Sequence, residues 1–158
     1  MIVVSDTSPL TYLHQIGRFE LLITLYEEIV VPPAVKRELE EAAHLHENLD
    51  WSLLRVVKPK SLKEVSSLAV SLDIGEAEAI VIASELRADL LLIDEADGRA
   101  VARRMGIQYT GLLGVLLEAK TRDLLPAVSP ELDRLQETTN FRVRLEVRRE
   151  VLRLAGEL

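Results

Sequence analysis

Carboxylates recur where apolar segments of the sequence stop or helices begin. Asp6 directly follows an apolar run at the amino terminus, and Asp94 directly follows another one. Glu38, Glu76 and Glu78 lie in early turns of predicted helices. Converging carboxylates repel one another, and a hard divalent cation such as Mg²⁺ or Mn²⁺ is the usual remedy. Such a site polarises phosphoryl oxygens and activates water for in-line attack on a phosphodiester.

Each acid also has a simpler structural interpretation. A carboxylate in the first turn of a helix interacts favourably with the helix dipole by about 0.3–1 kcal/mol, which explains Glu76 well. Asp6 is equally well explained as a cap of the turn that follows it, and Asp94 as a turn residue. Glu78 is harder to explain, because its neighbours Ala79 and Ile80 are apolar. A shared site therefore requires a fold that brings these acids together.

Apolar runs bounded by turn residues predict five strands, at 2–4, 28–31, 53–57, 89–93 and 107–110. Because helical segments alternate with these strands, we expect a mostly parallel sheet with helices on both faces, a three-layer α/β/α fold. In such sheets ligands bind at the carboxyl ends of the strands. Apolar spacing predicts helices at 9–16, 18–25, 34–47, 61–72, 76–86, 98–105, 112–122, 130–138 and 145–155.

Capping signals refine these boundaries. Ser8 is a suitable N-cap for the first helix, since Pro9 needs no partner for a backbone N–H. Ser61 and Glu64 have the spacing of a capping box. The strand at 53–57 is expected at the edge of the sheet, because a lysine- and proline-containing segment follows it.

Composition limits the classes of protein to consider. The 158 residues are 48% hydrophobic and 28% charged, as in an ordinary globular domain. The absence of cysteine excludes disulfides and thiolate metal sites and agrees with a cytoplasmic location. No apolar run is long enough to cross a bilayer, and the amino terminus lacks the features of a signal peptide, so no membrane association is expected.

Charge is distributed unevenly along the chain. The net charge of −7 argues against capture of nucleic acid by the whole surface. Residues 1–97 hold 8 Lys/Arg against 18 Asp/Glu, whereas residues 98–158 hold 11 against 8. An acidic body and a basic tail are compatible with metal binding in one part and phosphate contacts in the other, although solvated helix faces explain any single charge equally well.

Four segments together resemble a PIN domain over roughly residues 1–120. The order and spacing of Ile2–Ser8, Val35–Leu39, Gly75–Ile80 and Leu90–Asp94 are similar to those of the family. Leu72–Ala79 and Thr110–Lys120 are similar to segments that recur in a prokaryotic branch of uncharacterised PIN proteins. Each motif is weak by itself, but the ordered set is specific.

The resemblance implies a metal-dependent ribonuclease similar to the VapC-type toxins of toxin–antitoxin pairs. By position, it implies that Asp6, Glu38, Glu78 and Asp94 are catalytic and bind Mg²⁺ or Mn²⁺. Glu78 stands where most members have aspartate. The further implied residues are Asp97 as an additional metal ligand and Ser8 and Thr110 as supporting hydroxyls. Apart from the resemblance, two groups of arginines are candidate contacts to RNA phosphates, although exposed helix faces or partner contacts explain them equally well: Arg99, Arg103 and Arg104, and then Arg142, Arg144, Arg148 and Arg149.

Two other functions compete with this interpretation. The glutamate at position 78 and the acidic charge keep open a catalytically weak or inactive PIN-fold module that binds RNA or a protein. A phosphatase with Asp6 as nucleophile is less well supported, because position 8 is serine where Asp-x-Asp chemistry requires an acid. The expected partners are RNA and a small antitoxin protein.

The carboxyl-terminal part is expected to be an appendage. We predict a PIN-like catalytic domain at 1–125 and a helical extension at 126–158 packed on the same domain. Leu145, Val147, Val151, Leu152 and Leu154 give the last helix an apolar face opposite its arginines. Together with the family resemblance, this face predicts a homodimer.

Overall fold

The computed structural model describes all residues, 1–158, and contains one five-stranded sheet. All neighbouring strands are parallel, and their order is β3-β2-β1-β4-β5. The predicted three-layer α/β/α architecture is confirmed, and β3 lies at an edge as expected. The strands are β1 (Val3–Ser5), β2 (Ile29–Val31), β3 (Leu54–Val56), β4 (Leu90–Leu92) and β5 (Tyr109–Thr110).

Nine α-helices connect or follow these strands. None of them is long and apolar enough to cross a membrane. Two short 3-10 helices, Ala43–Leu45 and Trp51–Leu53, lie between β2 and β3. The helices are α1 (Thr7–Gln15), α2 (Glu20–Tyr26), α3 (Pro33–Glu41), α4 (Leu62–Leu68), α5 (Ile74–Glu85), α6 (Ala96–Arg104), α7 (Leu112–Thr121), α8 (Ser129–Thr138) and α9 (Leu145–Leu154).

Successive side chains of each strand point to opposite faces of the sheet, and this divides the core into two layers. Val3 of β1 contributes to a cluster with α1, α2, α7 and the carboxyl-terminal helices, whereas Val4 faces a second cluster with α5 and α6. Leu92 and Leu91 of β4 divide in the same way. Both faces of the central strands are therefore buried, which explains why these strands are continuous apolar runs.

The carboxyl-terminal helices share the first of these layers. Val128, Leu132 and Leu135 of the α8 region are buried in the same cluster as β1, and Val151 of α9 joins them. Lys120 at the end of α7 forms an ion pair of 2.9 Å with Glu157 beyond α9. These contacts attach the last two helices to the layer that covers β1.

Three local predictions are wrong. Helix α1 begins at Thr7, so Asp6 rather than Ser8 occupies the N-cap position. Helix α3 ends at Glu41, where the following backbone leaves the helical region at Ala42. Ser61 does accept a hydrogen bond from the Glu64 backbone, but its own N–H donates to Glu85, so no capping box forms there.

Candidate active site

Asp6 and Asp94 lie on neighbouring strands at the carboxyl edge of the sheet. Ser5 of β1 is in register with Leu92 of β4, and the backbone N–H of Asp6 donates to the Leu92 carbonyl at 2.9 Å. Asp6 is thus one residue beyond its strand and Asp94 two residues beyond the next. The parallel sheet brings these two predicted residues to the same edge.

Glu38 approaches Asp6 across the start of α5. A Cβ added to Gly75 would lie 2.7 Å from Glu38 Oε1 and 3.4 Å from Asp6 Oδ1. Because the first of these contacts is shorter than real Cβ contacts, any larger residue at position 75 would displace the Glu38 carboxylate from this place. Glu38 and Asp6, which the family resemblance assigned to one site, both have carboxylate oxygens next to Gly75 in the structure.

Thr7 orients the carboxylate of Glu38. Its hydroxyl donates to Glu38 Oε2 at 2.5 Å. Hydrogen bonds to carboxylates of this kind restrict the rotamer and support the charged form. Sequence reasoning singled out Ser8 instead of Thr7, although Thr7 directly follows Asp6 at the same strand end.

Glu76 is a second residue that sequence reasoning set aside. Asp73 and Glu76 form a capping box at the start of α5, in which Asp73 accepts from the Glu76 N–H and Glu76 Oε2 accepts from the Asp73 N–H. The other oxygen of Glu76, Oε1, is buried and has no hydrogen-bond partner. Capping explains one oxygen of Glu76 and leaves the other available to a ligand.

Glu78 occupies a different place from the one predicted. Helix α5 begins at Ile74, so Glu78 lies in its second turn rather than its first. Its Oε2 accepts a hydrogen bond of 3.1 Å from the backbone N–H of Ala34. Ala34 lies in the first turn of α3, where N–H groups have no partner within the helix, so this buried carboxylate caps α3. The structure gives Glu78 a structural contact that the sequence did not predict.

Asp94 has one satisfied oxygen and one free oxygen. Oδ1 accepts from the Leu112 N–H at 3.0 Å and lies 3.5 Å from Arg99 Nη2, whereas buried Oδ2 has no partner. Arg99 also donates through Nε to the Ile93 carbonyl at 2.9 Å. Arg99, predicted as an RNA contact, therefore lies beside a carboxylate of the candidate site.

Burial makes these carboxyl groups unusually basic. Burial raises the pKa of Asp6 to about 8, and the nearby charges of Asp73, Glu76 and Glu38 add to the effect. The pKa of Glu76 rises to about 7 for the same reason, with Asp73, Glu95 and Asp97 as the repelling charges. Burial also raises the pKa of Glu38 and of Asp94. The free energy cost of ionising these groups falls when a cation lies among them.

The predicted supporting hydroxyls line two cavities. The large cavity, of about 630 Å³, includes Ser8 and Glu38 in its wall. The small cavity, of about 440 Å³, includes Thr110 and Asp94. His46 also borders the large cavity, where its Nε2 lies 2.9 Å from the Thr11 hydroxyl.

The remaining predicted residues lie on α6. Asp97 is exposed in the first turn of this helix, where its charge acts on Glu76. Arg103 is exposed and donates through Nη2 to the Tyr109 hydroxyl at 2.8 Å. Arg104 is exposed in the last turn of the helix. Of the α6 residues, only Arg99 borders a cavity that also contains an acid of the site.

The donor set suits a hard divalent cation, but the side chains are not arranged as a finished metal centre. No group of three or more His, Cys, Asp or Glu side chains is placed to hold an ion. Two buried carboxylate oxygens, Glu76 Oε1 and Asp94 Oδ2, nevertheless have no partner. All candidate donors are oxygen atoms, as Mg²⁺ and Mn²⁺ prefer. Coordination therefore requires the acidic side chains to rotate toward a common point.

Comparison with known proteins assigns the family. The chain matches the DUF3368 family, described as a PIN domain, over residues 2–157. No curated protein matches the chain. The match extends beyond the roughly 120 residues that carried the resemblance in sequence and includes α8 and α9. PIN domains have a nuclease-type fold. Since the family model covers nearly the whole chain, the protein belongs to the PIN domain family.

Proposed function

We propose that the protein is a metal-dependent endoribonuclease. The observation that carries the proposal is the group of buried carboxylates at the carboxyl edge of the sheet, where Asp6 and Glu38 meet at Gly75 and two acidic oxygens have no partner. Burial raises the pKa of each of these acids, and neighbouring acidic charges add to the effect, which is the pattern of a candidate functional site.

In this proposal Asp6, Glu38, Glu76 and Asp94 hold Mg²⁺ or Mn²⁺. The chemistry that the ion supplies when bound is stabilisation of phosphoryl charge and a lower pKa for an attacking water. Thr7 fixes the orientation of Glu38, and Arg99 holds the backbone carbonyl that precedes Asp94. Glu76 replaces Glu78 in the proposed ligand set because its buried Oε1 has no partner and its charge acts on Asp6, whereas Glu78 caps α3.

Substitution of Asp6 tests the proposal. Asp6→Asn keeps the size of the side chain and removes a ligand charge, so we expect RNA cleavage with Mn²⁺ to fall by about 100-fold or more. The matched control is Glu118→Gln, which removes one negative charge from a half-buried position on α7 that borders neither cavity. Unchanged turnover of the Asp6 variant would contradict the assignment of the metal site.

A second candidate function follows from the arrangement of the acids. Since no three of them are placed to hold an ion, a PIN-fold module that binds RNA or protein without cleaving is the competing proposal. Calorimetric titration with Mn²⁺ discriminates between the two. Heat of binding that disappears in Asp6→Asn supports the nuclease, whereas no binding at millimolar metal supports the module.

We further propose that the protein acts as the toxin of a toxin–antitoxin pair and as a homodimer. Exposed apolar residues on α9 support a protein partner, since Leu145 is 62% and Leu154 is 58% exposed. A small reading frame directly upstream of the gene would support the antitoxin. A monomer in sedimentation at micromolar concentration would contradict the homodimer.

A further inference from the structure

One arginine of the carboxyl-terminal segment borders both cavities of the candidate site. Arg142 lines the large cavity together with Glu38 and Thr7, and it lines the small cavity together with Asp94 and Arg99. Arg142 therefore shares one cavity with Glu38 and the other with Asp94. It comes from the loop between α8 and α9, a region that the sequence predicted to be an appendage.

The loop is attached to the body of the protein next to the site. The ring of Phe141 packs edge-on against Tyr12 of α1, with ring centroids 5.1 Å apart. Burial raises the pKa of the Tyr12 hydroxyl; the nearby charge of Asp94 adds to this effect and that of Arg142 opposes it. The Thr139 hydroxyl accepts from the Phe141 N–H at 3.1 Å. These contacts fix the position from which Arg142 reaches the cavities.

The guanidinium of Arg142 is held on one side only. Its Nη1 donates to the carbonyls of Thr139 at 2.8 Å and Phe141 at 3.0 Å. No carboxylate forms an ion pair with Arg142, in contrast to Arg99, which lies 3.5 Å from Asp94. Its Nε and Nη2 groups make no hydrogen bond, so a planar fork of donors, matched to a phosphate, stays available.

We propose that Arg142 binds a backbone phosphate of a single-stranded RNA that passes from the large cavity to the small one. This inference rests on the proposed ribonuclease function and names the residue that holds its substrate. An acidic edge repels a polyanion, so a cation between Glu38 and Asp94 is needed to hold the strand over the carboxylates. Polar side chains dominate the wall of the large cavity, as suits a ribose–phosphate backbone.

Binding and cleavage are measured separately to test Arg142. A fluorescent single-stranded RNA is titrated with protein in Ca²⁺ in place of Mg²⁺, and gel analysis verifies that the RNA stays intact. We expect Arg142→Ala to weaken binding by about 10-fold and to reduce the slope of log affinity against log salt by about 0.7, the value for one phosphate contact on a single strand. With Mn²⁺ the variant is expected to raise KM more than it lowers kcat.

Arg149→Ala is the matched control, because Arg149 is an exposed arginine of α9 that borders neither cavity. Arg142→Lys keeps the charge and should keep the wild-type salt slope, which separates phosphate binding from support of the loop. A wild type that cleaves RNA, with Arg142→Ala indistinguishable from Arg149→Ala, would overturn this inference alone. A wild type that neither binds nor cleaves RNA would overturn the proposed function as well.

Discussion

Buried carboxylates occur in two regions of the molecule under opposite conditions. At the sheet edge, Asp6 and Glu76 are 4% and 5% exposed, and the charges that act on them are those of other acids. In α8, Glu131 is 2% exposed but is held by two arginines. Arg18 binds its Oε1 at 2.8 Å and Arg134 binds its Oε2 at 3.0 Å.

The difference separates a structural use of a buried charge from a functional one. Removing a carboxylate from water costs free energy that only close opposite charges and hydrogen bonds offset. The two arginines provide that offset for Glu131 and join α8 to the segment between α1 and α2. At the sheet edge Arg99 lies 3.5 Å from Asp94, but no cationic side chain pairs with Asp6 or Glu76. These two acids therefore stay free to bind a cation.

The pair Glu76 and Glu78 offers the sharpest test of this comparison. Glu76→Gln should lower RNA turnover by about 100-fold, because it removes a proposed ligand charge, whereas Glu78→Gln should change turnover only a few-fold. Each glutamine keeps an oxygen that can accept the observed hydrogen bond, from Asp73 for one residue and from Ala34 for the other. The measurement is single-turnover cleavage with saturating Mn²⁺.

Both variants need a check of folding, and thermal melting provides it. A large loss of turnover in Glu78→Gln together with near-normal turnover in Glu76→Gln would restore the assignment made from the sequence. Equal losses in both variants, without a change in melting temperature, would place both glutamates in the site. Glu78 could then no longer be described as a cap of α3 alone.

The sequence predicted the strands well because the strands are short apolar runs bounded by turn residues. Val3–Ser5 and Leu90–Leu92 are buried on both faces, so their pattern requires no knowledge of what packs against them. The end of α3 was harder to predict. The segment 42–47, which contains two alanines, a leucine and a glutamate, favours helix by local propensity. The chain nevertheless turns at Ala42, and His46 bonds Thr11 and the Ala42 carbonyl. A tertiary contact decided that boundary.

For the candidate site, the sequence could predict that Asp6, Glu38 and Asp94 lie at one edge of the sheet, because strand ends and the helix after β2 place them there. The choice between Glu76 and Glu78 was not predictable. It depends on where α5 begins, and the sequence suggested Glu76 rather than Ile74 as its first residue. Asp73, which precedes the predicted helix at 76–86, is the N-cap that sets the register. A shift of about half a turn decides which glutamate reaches the other acids.

The stability of the metal-free protein should decrease as pH rises. The pKa of Asp6 is raised to about 8 and that of Glu76 to about 7, so between about pH 4 and those values the folded state binds more protons than the unfolded state. These groups therefore favour folding most at low pH, and the favourable contribution disappears as pH approaches the folded pKa values. For each proton that the folded state binds and the unfolded state does not, the free energy of unfolding falls by up to about 1.4 kcal/mol per pH unit.

Urea unfolding in EDTA at about pH 5, 6 and 7 measures this slope. Asp6→Asn should show a shallower decrease, because one of the titrating groups is gone, and added Mn²⁺ should stabilise the wild type most at the upper end of the range. If the slope stays the same in Asp6→Asn, Asp6 is ionised in the folded protein. The sheet edge would then tolerate its negative charge without a bound cation, which contradicts the contrast with Glu131.

Glu131→Gln should have the smallest effect of the three, and it should act on stability alone. An amide cannot balance both arginines, so we expect a loss of about 2 kcal/mol, less than for a fully buried pair because the side chains of Arg18 and Arg134 are 30% and 43% exposed. For a chain of this size that loss lowers the melting temperature by roughly 4–8 °C.

The matched control for Glu131→Gln is Glu150→Gln, which weakens an exposed ion pair with Arg153 and should leave the melting temperature unchanged. RNA turnover well below the melting temperature is expected to equal that of the wild type in both variants, since neither glutamate borders the two cavities. Loss of turnover in Glu131→Gln at an unchanged melting temperature would contradict the purely structural role of Glu131. A carboxylate paired with arginines would then belong to the functional region, and the absence of a cationic partner would no longer distinguish Asp6 and Glu76 from Glu131.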